Sequence, residues 1–187
     1  MIVAPMPSPI GHALGGIALV WTAQPRAGRR LILAAAILAA LPDLDVVHPD
    51  WHRAVTHSAG AVALVTIITV AVTGWVTGRV AWRVVLVCGA AWASHLLLDW
   101  LAADFRPPYG IRALWPFDDG WYISGLDMFR QTARRHLFTT ASLVQNAKAI
   151  AQEIAMLGPV VYALWLVRVK APARLTPEVT GRHHAAQ

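Results

Sequence analysis

Six residues of metal-ligating type stand at the edges of apolar runs: His12, Asp43, Asp45, His57, His95 and Asp99. Only 14% of the chain is charged and 57% is hydrophobic, so imidazoles and carboxylates in such surroundings are costly unless something binds them. His95 and Asp99 are spaced i, i+4, which puts both on one face of a helix, one turn apart, as two ligands to one ion. Asp43 and Asp45 follow the helix-breaking Pro42, and their i, i+2 spacing predicts an extended turn that presents both to one side. His12 and His57 are each expected at a helix N-terminus, where the helix field disfavours imidazolium and favours the neutral, metal-binding form. Three imidazoles and three carboxylates without a thiolate could hold one octahedral ion or two bridged ions. Zinc is favoured, and manganese or iron also suit this donor mix.

The chemistry expected of such a set is hydrolysis. His12, Asp45, His57, His95 and Asp99 are the expected ligands, Asp43 the base that takes a proton from water, and His52 a proton shuttle. Arg53, whose guanidinium reads two oxygens at once, and Arg112 are candidates for binding an anionic substrate.

The elements that must position these residues are helices. A chain of 187 residues with nine tryptophans and a mean hydropathy of +0.50 predicts an all-α fold, a polytopic membrane bundle of about four to five helices. Apolar runs and capping signals place helices over 10–23, 30–41, 56–76, 81–101 and 150–169, with Thr56 as the cap of the third. The stretch 104–125 reads as a loop. Residues 126–148 read as an amphipathic helix, and the whole of 104–149 is expected to cover the site. Residues 1–170 form one domain, and 171–187 are expected to be a disordered tail. From the basic turn at Arg26, Arg29 and Arg30 the first two helices reach His12 and Asp43 after similar lengths, and from Arg83 the fourth reaches His95. At 1.5 Å per residue each of these distances is roughly 20 Å, so an up-down arrangement brings the polar residues to one end of the bundle.

The net charge of +6 and pI near 10.4 could indicate nucleic acid, yet the basic residues sit in pairs at the ends of apolar runs and form no groove-reading motif. That is how membrane proteins place them, and the positive-inside rule then puts the basic edge in the cytoplasm and the site outside it. Nucleic acid is therefore not an expected partner. The lone Cys88 permits no intrachain disulfide and is read as packing.

The order Gly11-His12, Leu41-Pro42-Asp43-Leu44-Asp45, His52-Arg53 with Thr56-His57-Ser58, Ser94-His95 with Asp99, and Gly110-Ile111 before Leu114-Trp115-Pro116 resembles a known family. It is similar to the bacterial membrane-bound, metal-dependent hydrolases, described as LexA-binding, inner-membrane-associated proteins, over roughly residues 10–117. The resemblance implies a multi-pass protein of the cytoplasmic (inner) membrane with lipid-bilayer contacts. It also implies a divalent-metal cofactor, one or two ions per chain, and the six residues above as the polar signature. A more distant likeness to zinc-dependent phospholipase C rests on the twelve-residue gap from Asp45 to His57 and the later His95–Asp99 pair, and favours a phosphoester or lipid-like substrate. One rival is a membrane-anchored regulatory or partner-binding protein with a structural metal. A metal-ion transporter ranks lower, because the other halves of the helices offer no ionisable residue to which an ion could step.

Overall fold

The computed structural model describes residues 7–47, 53–105, 107–133 and 136–171. Among these there are five α-helices and no strand; the only sheet-like features are isolated bridges between Ala102 and Phe129 and between Ile111 and Tyr122. Helix α1 spans Pro9–Ala23, α2 Arg29–Ala40, α3 Ala59–Thr77, α4 Trp82–Leu101 and α5 Thr140–Leu164. A 3-10 turn, Leu41–Val47, continues α2, and a π-helical turn, Trp165–Lys170, continues α5.

Local chemistry accounts for most of these boundaries. Ser8 caps α1 by accepting from the Gly11 amide, and Pro9 occupies the first helical turn, where its missing N–H costs nothing. Ser58, not Thr56, caps α3 by accepting from the Ala61 amide, so the helix begins later than the Thr56 reading places it and His57 precedes it. The Thr56 hydroxyl is instead engaged by Asp45. Gly78 closes α3 with φ of 71°, a left-handed position that glycine adopts without strain.

Helix α5 starts ten residues before the expected position, because Thr139 caps it through the Ser142 amide. Only its first turns fulfil the amphipathic helix expected over 126–148. Residues up to 133 run as irregular chain along α4 and α5, held by main-chain bonds to Leu101 and Ala103 and by the Asn146 and Gln152 side chains of α5.

Helix α4 is the centre of the bundle, packed against α1, α2 and α3, while α5 packs on α1. Small residues permit the close approaches. A Cβ at Gly16 would lie 2.6 Å from the Ala35 carbonyl of α2, and one at Gly89 would meet the Thr66 hydroxyl of α3. Val20, Ala35, Val87 and Ala91 fill the space between α1, α2 and α4.

Among the described residues three helical stretches, Ala59–Thr77, Trp82–Leu101 and Thr140–Lys170, are long and apolar enough to cross a membrane. Helix α3 shows Leu64, Ile67, Ile68, Val72 and Val76 on its outside. Such a surface suits contact with lipid.

Candidate metal centre

The residues singled out by type and spacing converge at one end of the bundle. Helix α1 contributes His12 from its first turns and α4 contributes His95 and Asp99 from its last. The 3-10 turn after α2 contributes Asp43, and the turn before α3 contributes His57. All three imidazoles are 0% exposed.

Their Nε2 atoms share two carboxylates. Asp99 lies 3.3 Å from His12, 3.2 Å from His57 and 3.0 Å from His95. Asp43 lies 3.9 Å from His12, 3.9 Å from His57 and 4.0 Å from His95. The His12 and His95 rings stack at 3.7 Å, and the His57 ring meets His95 edge-on at 4.7 Å.

Close as they are, His12 Nε2, His95 Nε2 and both Asp99 oxygens lack an aligned hydrogen bond among the described residues. Buried polar atoms so placed are rare, because each forfeits its solvation. Donor atoms grouped around a common point have this arrangement, close to one another without being aligned as hydrogen bonds. Adjacent ligands of a tetrahedral ion with bonds of about 2.05 Å are about 3.3 Å apart, and octahedral neighbours slightly less. The Asp99–imidazole separations fall in that range. Two donor sets meet the distance requirement for one ion, namely His12, His95 and Asp99, and Asp43, His57 and His95. The set is rich in imidazole and free of sulfur, which suits zinc, manganese or iron better than magnesium or calcium.

The far sides of the rings explain their orientation. His95 Nδ1 is 2.7 Å from the Ala39 carbonyl near the end of α2 and donates to it, leaving Nε2 with its lone pair toward the cluster. His57 Nδ1 is 3.1 Å from Asp45, which also accepts from Thr56. Burial by itself would lower the His57 pKa, but the Asp45 and Asp99 carboxylates outweigh it and hold the group up to about 9.

Asp45 therefore stands behind His57, while Asp43 faces the three Nε2 atoms. The extended turn expected for Asp43 and Asp45 is a 3-10 turn, in which residues i and i+2 diverge by about 120° because the repeat is 3.0 residues. That divergence sends the two carboxylates to different places.

Arg53 is buried and paired with Asp104, and its guanidinium also donates to the Pro108 carbonyl at 2.5 Å. Asp104 accepts in addition from the Gly110 amide, and Arg112 N–H donates to the Arg53 carbonyl. These bonds fasten the loop after α4 onto the turn that carries His57. The Trp92 indole N–H completes the fastening by donating to the Thr56 carbonyl. The Arg112 guanidinium pairs with exposed Asp119. His52 lies outside the described residues, as does the tail from residue 172.

Glu153 is a residue that motif reading passed over. It is 0% exposed on α5 and accepts from the Ser8 amide at 2.7 Å and from the Ser8 hydroxyl. A carboxylate is thereby supplied to the N-terminus of α1, which has no acid in its own first turn, and α1 is tied in the register that brings His12 to the cluster. The available signal was the single acid of a membrane-length helix.

A lipid-facing all-α bundle with a buried His–Asp cluster at one end defines a membrane protein of helical class. The family model of the YdjM inner membrane protein matches residues 6–173, and the chain belongs to that family, a bacterial inner membrane family. No curated protein and no solved structure matches it.

Proposed function

We propose that the protein is a multi-pass, membrane-embedded, metal-dependent hydrolase acting on a phosphoester or lipid-like substrate. The observation that carries this reading is the set of three Nε2 atoms within 3.0–3.3 Å of the Asp99 carboxylate without hydrogen-bond alignment at His12, His95 or Asp99. A divalent ion, zinc in the first instance, supplies Lewis acidity that makes water a competent nucleophile near neutral pH.

His12, His57, His95 and Asp99 are the residues that would hold it, with Asp43 completing the set or taking the proton from water. Asp43 suits that second role because it also lines a cleft of about 590 Å³ whose wall includes Ile37, Leu41, Leu44, Leu137 and Ile150. An acyl or other apolar substituent fits such a wall, with the polar group of the substrate at Asp43. Asp45 is a positioning residue: it fixes the His57 tautomer through Nδ1. Arg53 holds the loop over this end through Asp104, so substrate contacts from Arg53 or Arg112 require those pairs to open.

The test is elemental analysis of protein purified without chelator, together with release of phosphate-containing product from phospholipid vesicles. About one or two ions per chain and ion-dependent product release are expected, with both lost in His95→Ala. A folded protein that retains no ion and rebinds none sinks the reading. Complete burial of the cluster supports a second reading, a structural metal in a regulatory or partner-binding protein. An ion with every coordination position filled by protein, and no turnover, would favour it.

A further inference from the structure

At the end of the bundle opposite the His–Asp cluster, α1, α4 and the π-helical extension of α5 enclose a cleft of about 1180 Å³. Three arginines line it: Arg26 from the turn after α1, Arg83 from the first turn of α4 and Arg168 from the extension of α5. Its wall continues along apolar Leu19, Leu86 and Ala90. Among the described residues no acid lines the cleft and no carboxylate pairs with any of the three arginines. The contact shown for these guanidinium groups is a long bond from Arg168 to the Thr22 carbonyl, 3.4 Å, across the cleft. The first turn of α4 carries neither an acid nor a side-chain cap, so its helix field adds to the positive potential. Trp82 and Trp75 stand exposed at the same edge, marking the depth at which membrane headgroups lie.

Arginines brought together from three separate segments form a like-charge cluster that a bound anion would relieve. The apolar wall below them says what kind of anion, since a soluble one would leave Leu19, Leu86 and Ala90 unused. We infer that this cleft is a binding site for one anionic diacyl phospholipid, its phosphate between Arg26, Arg83 and Arg168 and an acyl chain along α1 and α4. Bidentate guanidinium contacts suit a phosphodiester, and basic recesses between membrane helices are favourable places for anionic headgroups. Arg83 and His95 are twelve residues apart on α4, about 18 Å along its axis, so this site is separate from the His–Asp cluster.

The experiment uses the full chain, purified in neutral detergent and supplied with phosphatidylglycerol or phosphatidylcholine of identical acyl chains, and counts retained lipid by native mass spectrometry. Phosphatidylglycerol should be retained about tenfold better. That preference should fall to near unity in the combined variant Arg26→Gln, Arg83→Gln, Arg168→Gln, with the content of any bound ion unchanged. Should that variant fail to fold, Ala90→Phe, which fills the apolar wall and keeps all three arginines, should lower retention of phosphatidylglycerol. Equal retention of the two lipids, or undiminished retention in the Ala90→Phe protein, overturns the proposal. Displacement of the lipid by millimolar inorganic phosphate also overturns it, in favour of a soluble anion.

Discussion

The two ends of α4 use polar residues in opposite ways. At the C-terminal end, His95 and Asp99 are buried against His12, His57 and Asp43, and every ring faces inward. At the N-terminal end, Arg83 is exposed in a cleft with Arg26 and Arg168, and no carboxylate among the described residues answers them. Burial explains the contrast. Groups that leave water must find compensation, so the His–Asp end holds its donors in a fixed geometry about a common point. The arginines keep contact with solvent or headgroups and need no partner from the chain. Rigid donor geometry fits an ion, and an open basic rim fits a lipid surface.

The comparison breaks most visibly at the His–Asp end. His95→Ala and Asp99→Asn should each reduce retained ion from about one per chain to below about a tenth, as read by elemental analysis, because the first removes a donor facing the cluster and the second removes the charge of the shared carboxylate. Full ion content in both would separate the cluster from metal binding. Asp45→Asn should weaken ion affinity by about 10- to 100-fold without abolishing it, since Asp45 acts on the far side of His57. A loss as complete as that of Asp99→Asn would make Asp45 a ligand.

The pH dependence sharpens the same end. His57 is held up to about 9 in the ion-free protein, above its ordinary value of 6.5. The protonated form therefore contributes stability that is fully present below pH 6.5 and is lost as pH rises through about 9. An ion must displace that proton, so affinity should climb by about tenfold per pH unit up to about pH 9 and then level off. Titration of ion affinity at fixed ionic strength checks this, and Asp45→Asn should shift the plateau to lower pH.

The core between the two ends should respond in stability alone. Gly16→Ala places a Cβ against the Ala35 carbonyl, a backbone atom that cannot swing aside, at an expected cost of about 1–3 kcal/mol in a denaturant titration. The smallest effect is expected at the basic end, where Arg83→Gln should change neither ion content nor stability beyond about 0.5 kcal/mol.

Much of this architecture was legible in the chain. Ser8-Pro9 announces the start of α1, and Pro42 marks where α2 ceases to be a regular α-helix. The i, i+4 spacing of His95 and Asp99 requires a shared helix face, which the 3.0 Å contact between them bears out. The misreadings are instructive because each involves a choice between two adequate local solutions. Thr56 and Ser58 are both good caps, and Ser58 holds the position while Asp45 takes the Thr56 hydroxyl. Thr139 starts α5 early because the polar side chains of Asn146 and Gln152, unremarkable in isolation, have main-chain groups of 128–133 to bind. Glu153 carries no motif; its partner Ser8 is 145 residues away.

Residue type, helical period and hydropathy by themselves determined that this is a helical membrane protein with His12, Asp43, His57, His95 and Asp99 gathered toward one end, because those signals act within a few turns of one segment. Tertiary structure decided which nitrogen of each ring faces the cluster, which of Asp43 and Asp45 stands beside it, and that Arg53 belongs to Asp104. Those outcomes depend on groups from different helices competing for the same buried space, and a buried polar atom settles on whichever partner the packing brings within about 3 Å.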